Sequence, residues 1–346
     1  MVSMTKELMK EAGIAGLIDP GEKVYIKPNL VEPKPASYGS TTHPEIVEGI
    51  IQYLKNEGRN NIFMFESTSV GFKTKDAIKA CGYDVLSNKY DVPFIDLDNE
   101  AVISVDSEGM ALNIYKAAAH AGFIINVPVM KGHCQTDITC CLKNMKGLIP
   151  FREKSRFHSM GLHRPIAALA SRIRPAVHIV DAICGDPTFE LGGKPLEFNR
   201  IMLGFDPVLL DSFCAELLGY RPDEIRYIKY AKDYGVGSYK DEKTKIVELN
   251  TENKPKAINL TGTLAGRYKK YIEEDGACSP CYAALITALN KLGNRIPSDP
   301  IKIGQGFRGV SSDGIGVGNC TSGCKYSVKG CPPSAVDMVD LIRGIR

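Results

Sequence analysis

The sequence predicts an α/β protein with a mostly parallel sheet flanked by helices, followed by a smaller cysteine-rich module. Short apolar runs typical of strands alternate with helical segments through most of the first 220 residues. This alternation is how a parallel sheet and its covering helices are encoded. The end of the chain differs, because five of the eleven cysteines lie in the last 69 residues.

The first elements are a strand, a helix and a second strand. Residues 22–27 and 62–65 are short apolar runs with the composition of strands. Between them we expect a helix that begins at Thr42, with this hydroxyl as the N-cap and Pro44 in the first turn. Gly58 follows its last turn.

The later elements continue the alternation. Each helix is predicted from apolar residues at helical spacing, and each strand from a short apolar run. Further strands are expected at residues 92–97, 123–127, 176–180 and 201–205, and further helices at residues 75–80, 165–173 and 207–218.

A change of composition predicts a domain boundary. From about residue 262 the chain becomes rich in Gly, Cys and Ser. We therefore predict a substrate-binding α/β domain over residues 1–261 and a cysteine-rich module over residues 262–346. A chain of 346 residues is long enough for two such units.

The composition is ordinary for a globular protein, with 44% hydrophobic and 24% charged residues. No stretch of about 18 uncharged apolar residues is present, and the first ten residues lack the apolar segment of a secretion signal. We expect a cytoplasmic protein without a membrane partner. Eleven cysteines fit a reducing compartment, and a thiolate-bound centre favours an anaerobic one.

Positive charge is concentrated in the middle of the chain. The whole sequence has a formal charge of +3, but residues 131–174 contain nine Lys and Arg against two acids. Such an excess can form a solvated face, or it can line a pocket for an anion. We expect a small anionic substrate and no nucleic-acid partner.

The segment from Val127 to Gly147 carries the candidate catalytic residues. It follows a buried strand, and ligands of α/β proteins bind where strands end. We expect a helix to open near Thr136 or Asp137, so that amide donors and cations form an anion site. Lys and His can also transfer protons. The catalytic candidates are Lys131, His133 and Lys143.

Other residues are candidates for binding the substrate. His158 and His163 lie within the basic stretch, although a histidine near a helix start often caps or packs. Lys143 and Lys146 could alternatively form a solvated helix face. The substrate-binding candidates are Lys27, Asn29, Asn144, Lys146, His158 and His163.

The C-terminal cysteines predict a metal centre. Cys278-Ser-Pro-Cys281, Cys320-Thr-Ser-Gly-Cys324 and Gly330-Cys331-Pro-Pro supply five thiols. Thiolate ligands select iron–sulfur clusters or zinc, and the spacing alone does not decide between them. A zinc ribbon would use Cys324 instead of Cys331, and Cys278 with Cys281 could instead be a redox dithiol. No nucleotide cofactor is indicated, because a Walker loop is absent and residues 304–309 lack the context of a dinucleotide fingerprint.

Two resemblances sharpen these expectations. The segments Gly318-Asn-Cys320 and Gly330-Cys331-Pro-Pro resemble those of hydrogenase small subunits and related proteins of respiratory complex I. This resemblance implies one [4Fe-4S] cluster, with Cys278, Cys281, Cys320 and Cys331 as ligands and Cys324 as a spare cysteine.

The second resemblance covers about residues 20–220. It is to the uncharacterised family called domain of unknown function 362, whose members often carry iron–sulfur motifs. The residues that carry it are Lys27-Pro-Asn29, Thr41 to Pro44, the segment through Lys143-Asn144 and Gly147, Ile179-Val-Asp181, and Asp206 to Asp211. The ferredoxin repeats of many members are missing here, and the family implies no particular reaction.

These observations leave three functions open. The first is an iron–sulfur enzyme, an oxidoreductase that binds a small anion beside the cluster and receives electrons from a ferredoxin-like donor. The second is a non-enzymatic electron carrier or cluster-assembly partner, whose basic segment would dock an acidic protein. The third is a lyase, racemase or transferase that uses Lys and His, with a structural metal.

Overall fold

The computed structural model describes residues 1–250 and 264–345, and its main domain is α/β with a mostly parallel sheet. The six-stranded sheet has the order β10-β9-β6-β1-β2-β3, in which only the β9–β10 pair is antiparallel. The strands of the chain are β1 (Val24–Lys27), β2 (Ile62–Glu66), β3 (Phe94–Asp96), β4 (Val102–Ser107), β5 (Met110–Tyr115), β6 (Phe123–Asn126), β7 (Lys131–His133), β8 (Asp137–Thr139), β9 (Val177–Gly185), β10 (Leu196–Gly204), β11 (Ile272–Glu274), β12 (Ile301–Ile303), β13 (Ser312–Val317) and β14 (Cys324–Val328).

Helices cover both faces of this sheet, as the fold class predicted. One face packs on α2 through Ile46 and Ile50, and the other packs on α8 through Ile166 and Leu169. The helices are α1 (Val2–Glu11), α2 (Pro44–Asn56), α3 (Thr74–Ala80), α4 (Tyr83–Tyr90), α5 (Lys116–Ala119), α6 (Cys141–Asn144), α7 (Phe151–Ser159), α8 (His163–Arg172), α9 (Pro207–Leu217), α10 (Arg226–Asp233), α11 (Leu264–Tyr268), α12 (Ser279–Leu292) and α13 (Ala335–Gly344).

A second, smaller sheet contains β11, β12, β13 and β14 in sequential order, and all its neighbouring pairs are parallel. Helix α12 crosses from β11 to β12, and it packs with α13 around a separate apolar core that includes Leu285, Ile301 and Met338. The connections to β13 and β14 are only residues 304–311 and 318–323. Parallel strands usually need crossovers of about a dozen residues or more, so these connections are unusually short.

Two local predictions were wrong. Residues 131–139 form the antiparallel hairpin of β7 and β8, not a helix that opens at Thr136, and the helical turn α6 begins only at Cys141. The N-cap of α2 is His43 rather than Thr42. The Thr42 hydroxyl accepts from the Asn29 N–H and donates to the Val127 carbonyl, so it joins two strand ends instead.

The predicted domain boundary between residues 261 and 262 lies outside the described residues. Within the described ranges, no helix combines the length and apolar character needed to cross a bilayer.

Candidate functional site

A cavity of about 890 Å³ lies where strand ends of both sheets face each other. From the main sheet, Asn29 follows β1, Ser67 follows β2 and Lys131 lies beyond the end of β6. Carboxyl ends of parallel strands meet at one edge, which explains why distant segments contribute to one wall. The predicted site residues that line this central cavity are Asn29, Lys131, His133, Lys143, Asn144, Lys146, His158, Cys278, Cys281, Cys320 and Cys331.

Two predicted substrate-binding residues do not line it. Lys27 is fully buried below the cavity and forms a 2.6 Å ion pair with Glu66. Gly147 packs against this ion pair, and a Cβ at position 147 would be 1.7 Å from Glu66 Oε1. His163 stacks on the ring of Tyr227 at a centroid distance of 6.4 Å. Lys27 therefore supports the cavity floor, and His163 packs behind it.

Helix α6 carries Lys143 and Asn144, and Asp211 of α9 fixes its first turn. Asp211 Oδ1 accepts from the Cys141 N–H at 2.7 Å, and Oδ2 accepts from Leu142 N–H and Tyr227 Oη–H, both at 3.3 Å. These bonds satisfy amide donors that a helix start leaves free. Asp211 is thus a positioning residue for the lysine-bearing turn.

Lys131 has a structural task in this geometry. It is only 1% exposed, and its ammonium donates to Asn29 Oδ1 at 2.9 Å and to the Ser40 carbonyl. Asn29 in turn donates to Asn144 Oδ1 at 2.8 Å. Burial lowers the pKa of Lys131 to about 8. These hydrogen bonds hold Lys131, Asn29 and Asn144 in place. Few of their hydrogen-bonding groups therefore remain for a substrate.

Lys143 and Lys146 are the cations best placed to meet an anion. Among the described residues, Lys143 donates a single long bond of 3.3 Å, to Thr139 Oγ1. Lys146 is partly exposed and has no hydrogen-bond partner among the residues that the structure describes. Burial lowers the pKa of both lysines to about 7. The charge of Lys143 lowers the pKa of Lys146 further, whereas Cys278 opposes this shift. A bound anion would stabilise both protonated forms.

His133 is held as a neutral donor. Its Nδ1 accepts from the backbone N–H groups of Gln135 at 3.0 Å and Thr136 at 3.3 Å. A neutral ring that accepts at Nδ1 carries its proton on Nε2. Burial keeps the pKa of His133 well below its usual range, and the charges of Lys143 and Lys146 lower it further. His133 can therefore donate a hydrogen bond from Nε2, but protonation of Nδ1 would break two existing bonds.

In the described part of the chain, two buried groups of side chains have ligand atoms within 4.8 Å of one another, close enough for a metal ion. In the first, the Cys134 thiol donates to Glu190 Oε1 at 3.0 Å, and His133 Nε2 lies 3.7 Å from the same oxygen. The proton that belongs on Nε2 opposes metal binding through that atom. The members of the two groups are His133, Cys134 and Glu190, and Cys140, Cys141 and Asp211.

Three strands of the small sheet, β11, β13 and β14, deliver four of the C-terminal cysteines to the cavity. Cys278 is the N-cap of α12 after β11, and Cys281 lies in the first turn. Cys320 follows β13 and Cys331 follows β14. Because these strands are parallel, their carboxyl ends lie at one edge, and thiols far apart in sequence reach the same cavity. We call Cys278, Cys281, Cys320 and Cys331 the cysteine group.

The members of the cysteine group lie close enough together to affect one another's ionisation. Burial raises the pKa of the Cys281 thiol to about 12, and the three other members contribute to this shift. Gln305 Nε2 lies 3.6 Å from Cys278 Sγ, and Arg308 Nε lies 3.4 Å from Cys320 Sγ, so donors support two of the sulfurs. Hydrogen bonds of this kind tune thiolate ligands.

The sulfurs of the cysteine group are more widely spaced than the ligands of one tetrahedral zinc ion. Tetrahedral zinc with Zn–S distances of about 2.3 Å would place its sulfurs roughly 3.8 Å apart. In the described part of the chain, no three sulfurs of the cysteine group lie within 4.8 Å of one another. Cys324 is apart from the cavity, since its sulfur packs at Gly316 and its charged neighbours are Lys302 and Glu273. The zinc ribbon that uses Cys324 therefore lacks geometric support.

The strand before Cys278 was not expected from the sequence. Because β11 precedes α12, Cys278 and Cys281 do have the strand and helix start that a redox dithiol requires. Cys320 and Cys331 line the same cavity, and the four-thiol centre stays a prediction beside the redox dithiol.

Several lining residues were missed from the sequence. Glu190 is buried and lies in a loop without a recognisable motif. Lys154 lies in the basic stretch, which was the one available signal for it. Gln305 lies within Gly304-Gln-Gly306, where both glycines allow close approach, because a Cβ at either position would lie 1.9 Å from an Asp275 oxygen.

The family comparison agrees with the resemblance found in the sequence. The profile of the family described as domain of unknown function DUF362 matches residues 24–216. The chain belongs to this family.

Three proteins show more distant similarity. The thylakoid-associated protein sll1697 of Synechocystis sp. is 25% identical over 232 residues, which are 65% of this chain and 72% of that protein. The lactate racemase apoprotein of Thermoanaerobacterium thermosaccharolyticum aligns with a TM-score of 0.38 and 15% identity, over 66% of this chain and 54% of the racemase. A Thermotoga maritima protein aligns with a TM-score of 0.39 and 14% identity, over 67% and 59%. The alignments thus span little more than half of either solved chain.

Proposed function

We propose that this protein is an iron–sulfur oxidoreductase that binds a small anionic substrate in the central cavity, next to one [4Fe-4S] cluster. One observation carries the proposal. Lys146 and Cys278 are more than 130 residues apart in sequence, yet the lysines and the cysteine group line the same cavity. An enzyme that couples a thiolate-bound centre to a bound anion requires this convergence.

Cys278, Cys281, Cys320 and Cys331 would hold the cluster through their thiolates. When bound, a cluster of this type supplies or accepts an electron. Arg308 and Gln305 donate toward two of the sulfurs, which stabilises their negative charge. A ferredoxin-like protein is the proposed external electron donor.

The chain's own residues would bind and protonate the substrate. Lys143 and Lys146 pair with its anionic group, and His133 donates a hydrogen bond from Nε2. Lys146 is the best candidate for proton transfer, because it is partly exposed and its pKa of about 7 suits donation and recovery of a proton near neutral pH. Lys131, which the sequence also suggested as a catalyst, lines the cavity and donates to Asn29, and its catalytic role stays a prediction.

The same lysines keep a second function open. Amines with a pKa of about 7 are also suited to a lyase, racemase or transferase, in which the metal centre would be structural. A simple electron carrier has less support, because it has no use for a large cavity lined by cations.

The test begins with protein purified without oxygen. Iron and acid-labile sulfide are measured, and paramagnetic resonance is recorded before and after reduction. We expect about four irons per chain and a signal that appears on reduction. A redox-silent metal would contradict the oxidoreductase and favour the second function.

Anion binding is tested in the same preparation. Acetate should change the spectrum of the reduced wild-type protein, and Lys146→Ala should abolish the change while iron content stays constant. Lys116→Ala is the matched control, since Lys116 is exposed on α5 and does not line the cavity.

A further inference from the structure

We infer that the substrate is a carboxylic acid with a bulky aromatic body, and that Phe72 and Phe151 form the binding site for this body. The inference rests on the proposed function for the anionic group of the substrate, and it adds the chemistry of the rest of the molecule. It follows from how the apolar side chains of the cavity are placed.

Two large aromatic side chains lie at the cavity with much of their surface in water. Phe72 is 39% exposed and Phe151 is 54% exposed, and both line the cavity. Exposed apolar surface is unfavourable, and a cluster of it in a cavity typically marks a ligand site. Val31 and Val70 also line the cavity.

Lys154 joins the two segments that carry these phenylalanines. It lies one turn after Phe151 on α7, and its ammonium donates to the Ser67 carbonyl at 2.9 Å and to the Thr68 carbonyl at 2.6 Å. The Phe72 N–H is bonded in turn to the Ser69 carbonyl of the same loop. The two rings thus belong to one braced wall of the cavity.

The first turns of α12 contribute small side chains to the cavity. Ala283, Ala284 and Thr287 line it, and none of them fills the space that a larger residue would take. These small side chains line the same cavity as the two phenylalanines, which leaves room in it for a flat apolar group.

The size of the cavity agrees with this interpretation. Ligand sites of about 300–1,000 Å³ commonly enclose drug-sized molecules. A volume of about 890 Å³ exceeds what an anion such as acetate needs, even when the cysteine group holds a cluster in part of it. Lys143 and Lys146 would bind one charged group of the substrate. The remaining surface of the cavity is then available to an uncharged part of the same molecule.

The binding test uses three probes that separate charge from ring. Acetate carries only the anion, phenylacetate carries the anion and a ring, and phenylacetamide carries the ring without charge. Dissociation constants are measured by calorimetry on anaerobically purified wild-type protein. We expect phenylacetate to bind at least about tenfold more tightly than either other probe, since burial of a ring and pairing of a carboxylate both contribute.

Variants locate the ring. Phe151→Ala and Phe72→Ala should each weaken phenylacetate binding severalfold and leave acetate binding unchanged. Ala284→Leu should fill the space for the ring and have the same selective effect. Phe205→Ala is the control, because Phe205 is 52% exposed but does not line the cavity.

Equal affinity for acetate and phenylacetate in wild type would overturn the inference. An equal loss of phenylacetate affinity in Phe205→Ala and Phe151→Ala would overturn it as well. Neither result touches the proposed function, which depends on iron content and on the acetate response. Preference for phenylacetate in protein that lacks iron would instead support the aromatic site and contradict only the iron–sulfur assignment.

Discussion

Nδ1 of His133 accepts a 3.0 Å hydrogen bond from the backbone N–H of Gln135. This bond fixes the ring as a neutral imidazole with its proton on Nε2. The sequence suggested a histidine that moves protons, whereas the geometry favours one that only donates a hydrogen bond. Lys143 of α6 and Lys146 of the following turn are then the groups that titrate.

The first prediction separates these roles. His133→Gln should weaken acetate binding severalfold at every pH between 6 and 9, without moving the midpoint of the pH profile. Lys146→Met should reduce the pH dependence, and Lys143, whose pKa is also about 7, should account for the remainder. Calorimetric titration at several pH values measures both effects, and His120→Gln, an exposed histidine outside the cavity, is the control. A midpoint shifted by His133→Gln would show that this ring titrates after all.

The second prediction concerns pH and stability. Burial lowers the pKa of Lys143, Lys146 and Lys154 to about 7 from an ordinary value of 10.5. Between these values the unfolded chain binds more protons than the folded one, so the ligand-free protein should become more stable as pH rises from 7 to 10. The opposite holds for acetate binding, which needs protonated lysines and should weaken over the same range.

Thermal melts with and without acetate check both trends. The gain in Tm from acetate should be largest near pH 6 and small at pH 9. A gain that stays constant from pH 6 to 9 would mean that acetate binds without these lysines.

The third prediction concerns the cysteine group. Cys278→Ser, Cys281→Ser, Cys320→Ser and Cys331→Ser should each lose most of the bound iron, because serine is a poor ligand for it. Cys324→Ser should retain it, since this sulfur packs at Gly316 away from the cavity. Iron and sulfide analysis of anaerobic preparations measures how much iron each variant retains. Retention of iron in Cys331→Ser together with its loss in Cys324→Ser would reverse the assignment.

The fourth prediction concerns the cavity floor. Gly147→Ala would place a Cβ 1.7 Å from Glu66 Oε1, which forces apart the buried pair of Glu66 and Lys27. We expect a loss of about 3 kcal/mol in unfolding free energy, the cost typical of disrupting a buried ion pair. Gly16→Ala meets nothing within 4 Å and should change stability little. Chemical denaturation of both variants tests the difference.

The sequence predicted the class of the fold well because its strands are short apolar runs with no competing pattern. The strand expected at residues 22–27 is β1, and the helix expected at residues 207–218 is α9, whose cap at Asp206 accepts from Val208 N–H and Leu209 N–H. Where both apolar pattern and cap chemistry were present, the element could be placed nearly to the residue.

The hairpin of β7 and β8 could not be predicted in this way. Its strands have three residues each, and Lys131 and His133 are buried although their side chains are polar. The bonds that compensate them come from Ser40 and from the turn itself. No local sequence pattern predicts such hydrogen-bond partners, because tertiary structure brings them together.

The roles of individual lysines were hidden for a similar reason. Spacing identified a basic segment, but only the fold shows that Lys131 is bound to Asn29 while Lys146 is not bound by any described residue. Lys154 was passed over because nothing in its neighbourhood reveals that Ser67 and Thr68 will receive its hydrogen bonds.

Because the strands of the small sheet are parallel, the edge formed by their amino ends is a suitable place to attach a spectroscopic probe. Every cysteine of the group lies beyond a carboxyl end, so the amino ends of β12 and β14 point away from the cavity. Asp299 and Ser322 precede these two strands and are exposed. A fluorophore or spin probe could be attached there through an unnatural amino acid, so that no thiol is labelled. Such a probe would report on the protein during turnover without contacting the cavity.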